Sequence, residues 1–127
     1  MPDDDKYRIE VHPLPQFIAE QSDPENGRYL FAYTITLRNT GRIAAQLISR
    51  HWIITDGNNA VQEVRGLGVV GKQPLLQPGE TYQYTSGSSL TTPIGTMKGS
   101  YQMVAEDGTH FEAEIPEFVL ASPHALH

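Results

Sequence analysis

Between residues 29 and 37 the chain alternates strictly. Tyr29, Phe31, Tyr33, Ile35 and Leu37 fall on one face, and Ala32, Thr34 and Thr36 on the other. A period of two in aromatic and β-branched residues predicts a strand with one side in a core. Weaker forms of the pattern recur. Tyr7, Ile9 and Val11 alternate before Pro13 and Pro15, which predicts an edge strand with a break, resuming over 16–19. A third strand spans 43–55, with Ile48, Trp52 and Ile54 on one face and His51 and Ile53 on the other. Further strands are predicted over 60–65 and 81–85. Another covers 97–106, with Met97, Tyr101, Met103 and Ala105 inward, and a last one 109–115, with Phe111, Ala113 and Ile115 inward and Pro116 as its stop. Turn chemistry separates them at Asp23-Pro24-Glu25-Asn26-Gly27, Asn39-Thr40-Gly41, Asp56-Gly57-Asn58-Asn59, Pro78-Gly79 and Asp107-Gly108. The hydroxyl-rich run over 85–93 reads as a loop, and nothing shows helical spacing over three turns or an internal repeat.

About seven short strands with one tryptophan on the third predict an all-β fold, an immunoglobulin-like or fibronectin type III-like antiparallel β-sandwich in two sheets. The face of Tyr29 to Leu37 is expected to pack on Trp52, Tyr101 and Phe111, and an up-and-down barrel is the alternative. The chain has 127 residues, enough for one domain with its own core, with flexible tails expected at 1–5 and 121–127. There is no cysteine, which excludes a disulfide-bridged sandwich, thiolate catalysis and cysteine-ligated metal. A net charge of −6 argues against nucleic acid as a partner. No apolar run approaches the roughly 20 residues of a membrane helix. The acidic Met1-Pro2-Asp3-Asp4-Asp5 start does not resemble a signal peptide, so a cytoplasmic, non-membrane protein is expected.

The candidate chemistry centres on Gly66-Leu67-Gly68-Val69-Val70-Gly71-Lys72. It matches G-x-G-x-x-G and, one frame wider, G-x-x-x-x-G-K, both associated with phosphate-cradling loops. Gly66, Gly68, Gly71 and Lys72 are therefore the phosphate-binding candidates. The context speaks against them: Pro74, Pro78 and Gly79 fall where the required helix would begin, and Gln73 stands where a magnesium-holding Ser or Thr belongs. The glycines then read as a crossing from one sheet to the other, and nucleotide binding is disfavoured. Leu67, Val69, Val70, Leu75 and Leu76 form an apolar set on the same connection, either a contact patch for a protein partner or a plug for the end of the sandwich. His110, Glu112 and Glu114 share a strand face and are the candidates for a weak divalent-cation site, while His124 and His127 lie on the tail. Arg50 sits beside Trp52, either at the rim of the core or as an anion clamp next to Lys72. Gly87-Ser88-Ser89-Leu90 does not form a nucleophile elbow, so no catalytic residues, no enzyme activity and no cofactor are expected.

Three groups of segments carry a resemblance. The first comprises Arg50-His51-Trp52-Ile53-Ile54-Thr55-Asp56, Glu63-Val64-Arg65 running into the glycine motif, and Leu76-Gln77-Pro78-Gly79-Glu80. The second comprises Tyr84-Thr85-Ser86-Gly87 and Thr92-Pro93-Ile94-Gly95-Thr96-Met97-Lys98-Gly99-Ser100-Tyr101. The third is Phe111-Glu112-Ala113-Glu114-Ile115-Pro116-Glu117-Phe118. Together they closely resemble the ApaG family, over about residues 7–120. The resemblance implies a small bacterial cytoplasmic protein with a fibronectin type III-like sandwich. It also implies a link to cobalt resistance and magnesium efflux, and a gene neighbourhood shared with diadenosine tetraphosphate hydrolysis. Similar domains in F-box proteins and a polymerase delta-interacting protein imply protein–protein interaction. The family lends no catalytic residues, so the expectation is a non-enzymatic interaction module. The alternatives are a phosphate or dinucleoside polyphosphate binder and a cation-linked regulator.

Overall fold

The computed structural model describes residues 5–123 and contains eight strands, with two single 3-10 turns (Ala19–Gln21 and Pro24–Asn26) between the first two. These are β1 (Ile9–Phe17), β2 (Tyr29–Asn39), β3 (Ala45–Asp56), β4 (Val61–Leu67), β5 (Leu75–Leu76), β6 (Thr81–Leu90), β7 (Ile94–Ala105) and β8 (His110–Ala121). They form two antiparallel sheets, one ordered β1-β2-β6 and the other β4-β3-β7-β8, with the two-residue β5 also pairing β3. This is the fibronectin type III-like sandwich the alternation predicts; two open sheets exclude the barrel. Of the tails expected at 1–5 and 121–127, residues 1–4 and 124–127, with His124 and His127, lie outside the described residues.

Four strands depart from the local reading, each for a tertiary reason. β1 runs unbroken from Ile9, opposite Asn39, to Phe17, opposite Phe31. Arg8 and Ile18, both even-numbered, bond β2 and its flank through Thr40 N–H to Arg8 O and Ile18 N–H to Leu30 O. Odd-numbered Pro13 and Pro15 therefore direct their missing donors away from β2, so no ladder bond is lost. In β3 the register with β7 shifts between Leu47 and Ser49. Ala45 and Leu47 are buried before the bulge, Trp52 and Ile54 after it, so the core face changes phase by one residue. Leu47, not Ile48, thus faces the core.

β6 is twice the expected length. Residues 85–90, read as loop, pair with β2 from Thr85 opposite Thr34 to Leu90 near Tyr29. Finally, β8 continues past Pro116 to Ala121. A register irregularity opposite Met97 and Gly99 accommodates Pro116 and Glu117, and brings Phe118 and Leu120 into the core. Ala121 pairs with Ile94 and Ser122 N–H donates to Pro93 O, so the ladder passes the point where a tail was expected.

The core is built on Trp52, whose ring centroid lies 5.2 Å from Tyr33, 6.4 Å from Tyr101 and 6.0 Å from Phe118, all edge-on. Phe118 holds the place expected of Phe111, which packs at the margin 5.6 Å from the Tyr7 ring. The buried hydroxyls of Tyr84 and Tyr101 bond each other, and burial pushes both phenols well above their ordinary range. One polar residue, Asn39, ends β2 on the core face at 1% exposure. Its amide donates to Ile43 O and Leu76 O, both at 2.9 Å, and its carbonyl accepts from Gly41 N–H at 2.8 Å. The side chain thus ties the β2–β3 turn to β5.

At the same end of the sandwich, where Glu106 N–H donates to Ala44 O, Tyr7 donates to Asp107 at 2.6 Å and Lys6 pairs with the same carboxylate at 3.1 Å. The Tyr7 hydrogen bond first, then the Thr109 backbone N–H, holds the Asp107 carboxyl well below the usual carboxylate range.

Two predictions follow from these polar ties. Asn39→Leu removes the side-chain hydrogen bonds to the Ile43 and Leu76 carbonyls and to Gly41 N–H, and is expected to lower unfolding free energy in urea by about 3 kcal/mol. A loss below about 1 kcal/mol would show that the amide does not hold the turn. For Asp107 the folded pKa lies below the unfolded value, so its stabilisation is complete above about pH 4 and is lost as pH falls through the folded value. Asp107→Asn should accordingly flatten the acid limb of the stability profile below about pH 4, measured by thermal denaturation.

Candidate functional site

The glycine motif folds as a hairpin tip. Gly68 N–H donates to Ile48 O at 2.8 Å, Val69 N–H to Lys72 O at 2.8 Å, and Lys72 N–H to Val69 O at 3.0 Å. The two residues inside that pair, Val70 and Gly71, have φ of 48° and 76°, the signs of a type I′ turn. Gly68 is at φ 63°, and a Cβ there would collide with the Lys72 carbonyl. Gly66 lies flat beneath a guanidinium: its Cβ would sit 2.8 Å from the Arg50 head group. The amides of Gly68, Val69 and Lys72 therefore spend themselves on carbonyls of the chain. Gly66, Gly68, Gly71 and Lys72 shape a turn, and no helix follows them. The turn does not carry the chain between sheets, as the sequence suggests; β5 returns along the same β3, and the crossing comes afterwards, before β6.

The apolar set on this connection divides in two. Val69 (0% exposed) and Leu76 (3%) are core residues, while Leu67 (75%), Val70 (63%) and Leu75 (57%) stand in solvent. Leu67 pairs with Ser49 and Leu75 with Gln46, so the two leucines flank the bulge on one edge of the five-stranded sheet. Gln73 braces the gap, donating to Ile48 O at 2.9 Å and accepting from Gln46 at 3.0 Å. Of the five residues expected as a contact patch, Leu67, Val70 and Leu75 are exposed, held out by the two buried anchors Val69 and Leu76. Val70 is unusual, because a β-branched residue with positive φ is strained.

His110, Glu112 and Glu114 do share the exposed face of β8. They face Val104, Gln102 and Ser100 of β7, and the Glu112 carboxylate accepts from Ser100 and Gln102, each at 3.1 Å. Among the described residues no group of three or more His, Asp or Glu converges on a metal position.

A groove the sequence reading missed runs between β4 and β6, the open edges of the two sheets. Its central cavity, about 300 Å³, has Tyr33, Trp52, Ile54 and Met97 as floor. Gln62 and Val64 of β4 form one wall, and Ser86 and Ser88 of β6 the other. Arg50 closes one end. The phase change in β3 is what turns Arg50 inward, into line with Trp52 and Ile54. Its Nη1 donates to Leu67 O at 3.0 Å and Gly68 O at 2.9 Å, so the half-buried guanidinium is fixed against the hairpin, while Lys72 is exposed. The period-two run Tyr84, Ser86, Ser88, Leu90 was the signal for this wall, obscured by the loop-like composition of serine and glycine.

A family model described as the ApaG domain matches residues 19–105. Protein ApaG of Dechloromonas aromatica is 84% identical over the full length of both chains. Protein ApaG of Thiobacillus denitrificans is 65% identical over 96% of each. A crystal structure described as an ApaA protein from Bordetella pertussis superposes with a TM-score of 0.91 at 60% identity, covering 93% of this chain and 96% of that one.

The two valines of the turn should respond oppositely to substitution. Val70→Asn, which accepts a left-handed backbone, is expected to raise stability by about 1 kcal/mol. Val69→Asp buries a carboxylate among apolar side chains and should cost about 4 kcal/mol or more, both read by urea denaturation. Loss of stability in Val70→Asn would show that the turn is not strained.

Proposed function

The chain belongs to the ApaG family, and we propose that it acts as a non-enzymatic protein–protein interaction module whose contact surface is the sheet edge bearing Leu67, Val70 and Leu75. The observation that carries this reading is Val70. A strained backbone holds a large apolar side chain in water, between anchors Val69 and Leu76 that fold inward. Strain kept at a surface position without a packing reward favours a role in contact.

The chemistry of the groove supports the non-enzymatic half of the proposal. The hydroxyls of Ser86 and Ser88 line its central cavity with Gln62 and Arg50, and no His, Asp or Glu lines it beside them as an acid or base. The setting proposed is the cytoplasm, as for the family. A link to cobalt resistance and magnesium efflux would then run through the partner, since the described acidic and histidine side chains form no convergent ligand set. No helix among the described residues is long and apolar enough to cross a membrane.

The combined variant Leu67→Ser, Val70→Asn, Leu75→Ser keeps the buried anchors and should remain folded. Affinity capture from a bacterial lysate followed by mass spectrometry is expected to recover a discrete protein with the wild type and to lose it with the variant. Equal recovery by both, with a folded variant, would remove this surface from the proposal.

A further inference from the structure

We propose that the groove between β4 and β6 binds an extended peptide segment of the partner, and that Arg50 pairs there with an Asp or Glu side chain of that segment. This rests on the interaction-module reading and specifies the partner's chemistry. β4 pairs only with β3 and β6 only with β2, so each presents an unused ladder side along the groove. The groove is elongated. Its central cavity shares Ile54, Gln62 and Ser89 with a neighbour of about 180 Å³ at one end, and Arg50 and Ser86 with another of about 200 Å³ at the other. The seven residues of β4 alone span roughly 23 Å, the length of a short extended peptide and more than a compact small molecule fills.

Arg50 sets the charge. Both hydrogens of Nη1 are engaged by the Leu67 and Gly68 carbonyls, which leaves the Nε–Nη2 side, the planar fork that takes a carboxylate through two parallel hydrogen bonds. No carboxylate of the described residues forms an ion pair with Arg50, although its guanidinium is half-buried, and the Glu63 carboxylate on the neighbouring β4 is committed to His51 and Arg65. A partly desolvated cation without a counter-charge is costly, and an incoming carboxylate removes that cost. Ser86, Ser88 and Gln62 supply hydrogen-bonding groups for the rest of the segment, and Val70 closes the Arg50 end, so an apolar residue next to the acid completes the match.

The test is to pan a displayed library of random peptides on the full chain, then synthesise a selected peptide and its counterpart with the acid replaced by the amide. The expected result is a shared acidic position flanked by apolar residues. Binding should weaken at least tenfold for the amide peptide and for Arg50→Lys, and backbone resonances of β4 and β6 should shift on binding. Ser88→Tyr, which leaves Arg50 in place but fills the groove, should abolish binding; folding of both variants is checked by their spectra. Selected peptides without an acidic position, binding unaffected by either variant, or no peptide selected at all would each overturn the proposal. If Arg50→Lys and Ser88→Tyr still capture the protein lost by the Leu67, Val70 and Leu75 variant, the groove assignment fails while the interaction module stands.

Discussion

One extra residue in β3 sets the arrangement of this domain. The bulge between Leu47 and Ser49 lets a single strand serve two phases: Ala45 and Leu47 pack one end of the sandwich, and Trp52 and Ile54 the other. Without the slip, Trp52 would lie on the outer face and the ring cluster with Tyr33, Tyr101 and Phe118 would have no centre. The same slip turns Arg50 between the sheets. There it holds the carbonyls of Leu67 and Gly68, fixes the hairpin tip and lies against Gly66, where no side chain fits. Core, turn and groove are consequences of one irregularity.

The two sides of the sandwich manage their edges differently. On one side β1 lies against β8, and Pro13 and Pro15 leave β1 without donors where another strand would pair. On the other side β4 and β6 stay apart, and small hydroxyls, an amide and a guanidinium stand along the gap above its apolar floor. A side that is polar, concave and unpaired remains available to an extended ligand, whereas the proline side does not. The exposed Leu67, Val70 and Leu75 lie on the edge of the five-stranded sheet that bounds the open side. The asymmetry locates contact at one margin of the molecule.

Polar groups inside this frame are fully employed: no described buried side-chain nitrogen or oxygen lacks a partner. Asn39 shows what such a group does that an apolar one does not. Two donors and one acceptor on a single amide fix three backbone segments relative to each other. The Tyr84–Tyr101 pair does the same across the sandwich, joining β6 of one sheet to β7 of the other.

The sequence by itself determined the architecture and much of the core. Strict alternation over Tyr29, Phe31, Tyr33, Ile35 and Leu37, and again over Met97, Tyr101 and Met103, names the buried faces because a pleated strand exposes alternate residues to opposite sides. Turn residues placed the strand ends, and the family was legible from continuous motifs. Tertiary structure alone decided which features of the glycine connection matter. Val69 and Leu76 are interchangeable with Val70 and Leu75 as letters, and only the turn's hydrogen bonds and the register of β5 on β3 send one pair inward and the other out. Residues 85–90 have weak strand preference of their own and become a wall because β2 offers them a complete ladder. Pro116 reads as a stop but sits where the register already breaks. Arg50 is one arginine among several until a bulge two residues earlier reverses its face. Local preference is a sum over neighbours in sequence, whereas register, phase and the burial of a charge depend on which strand lies alongside.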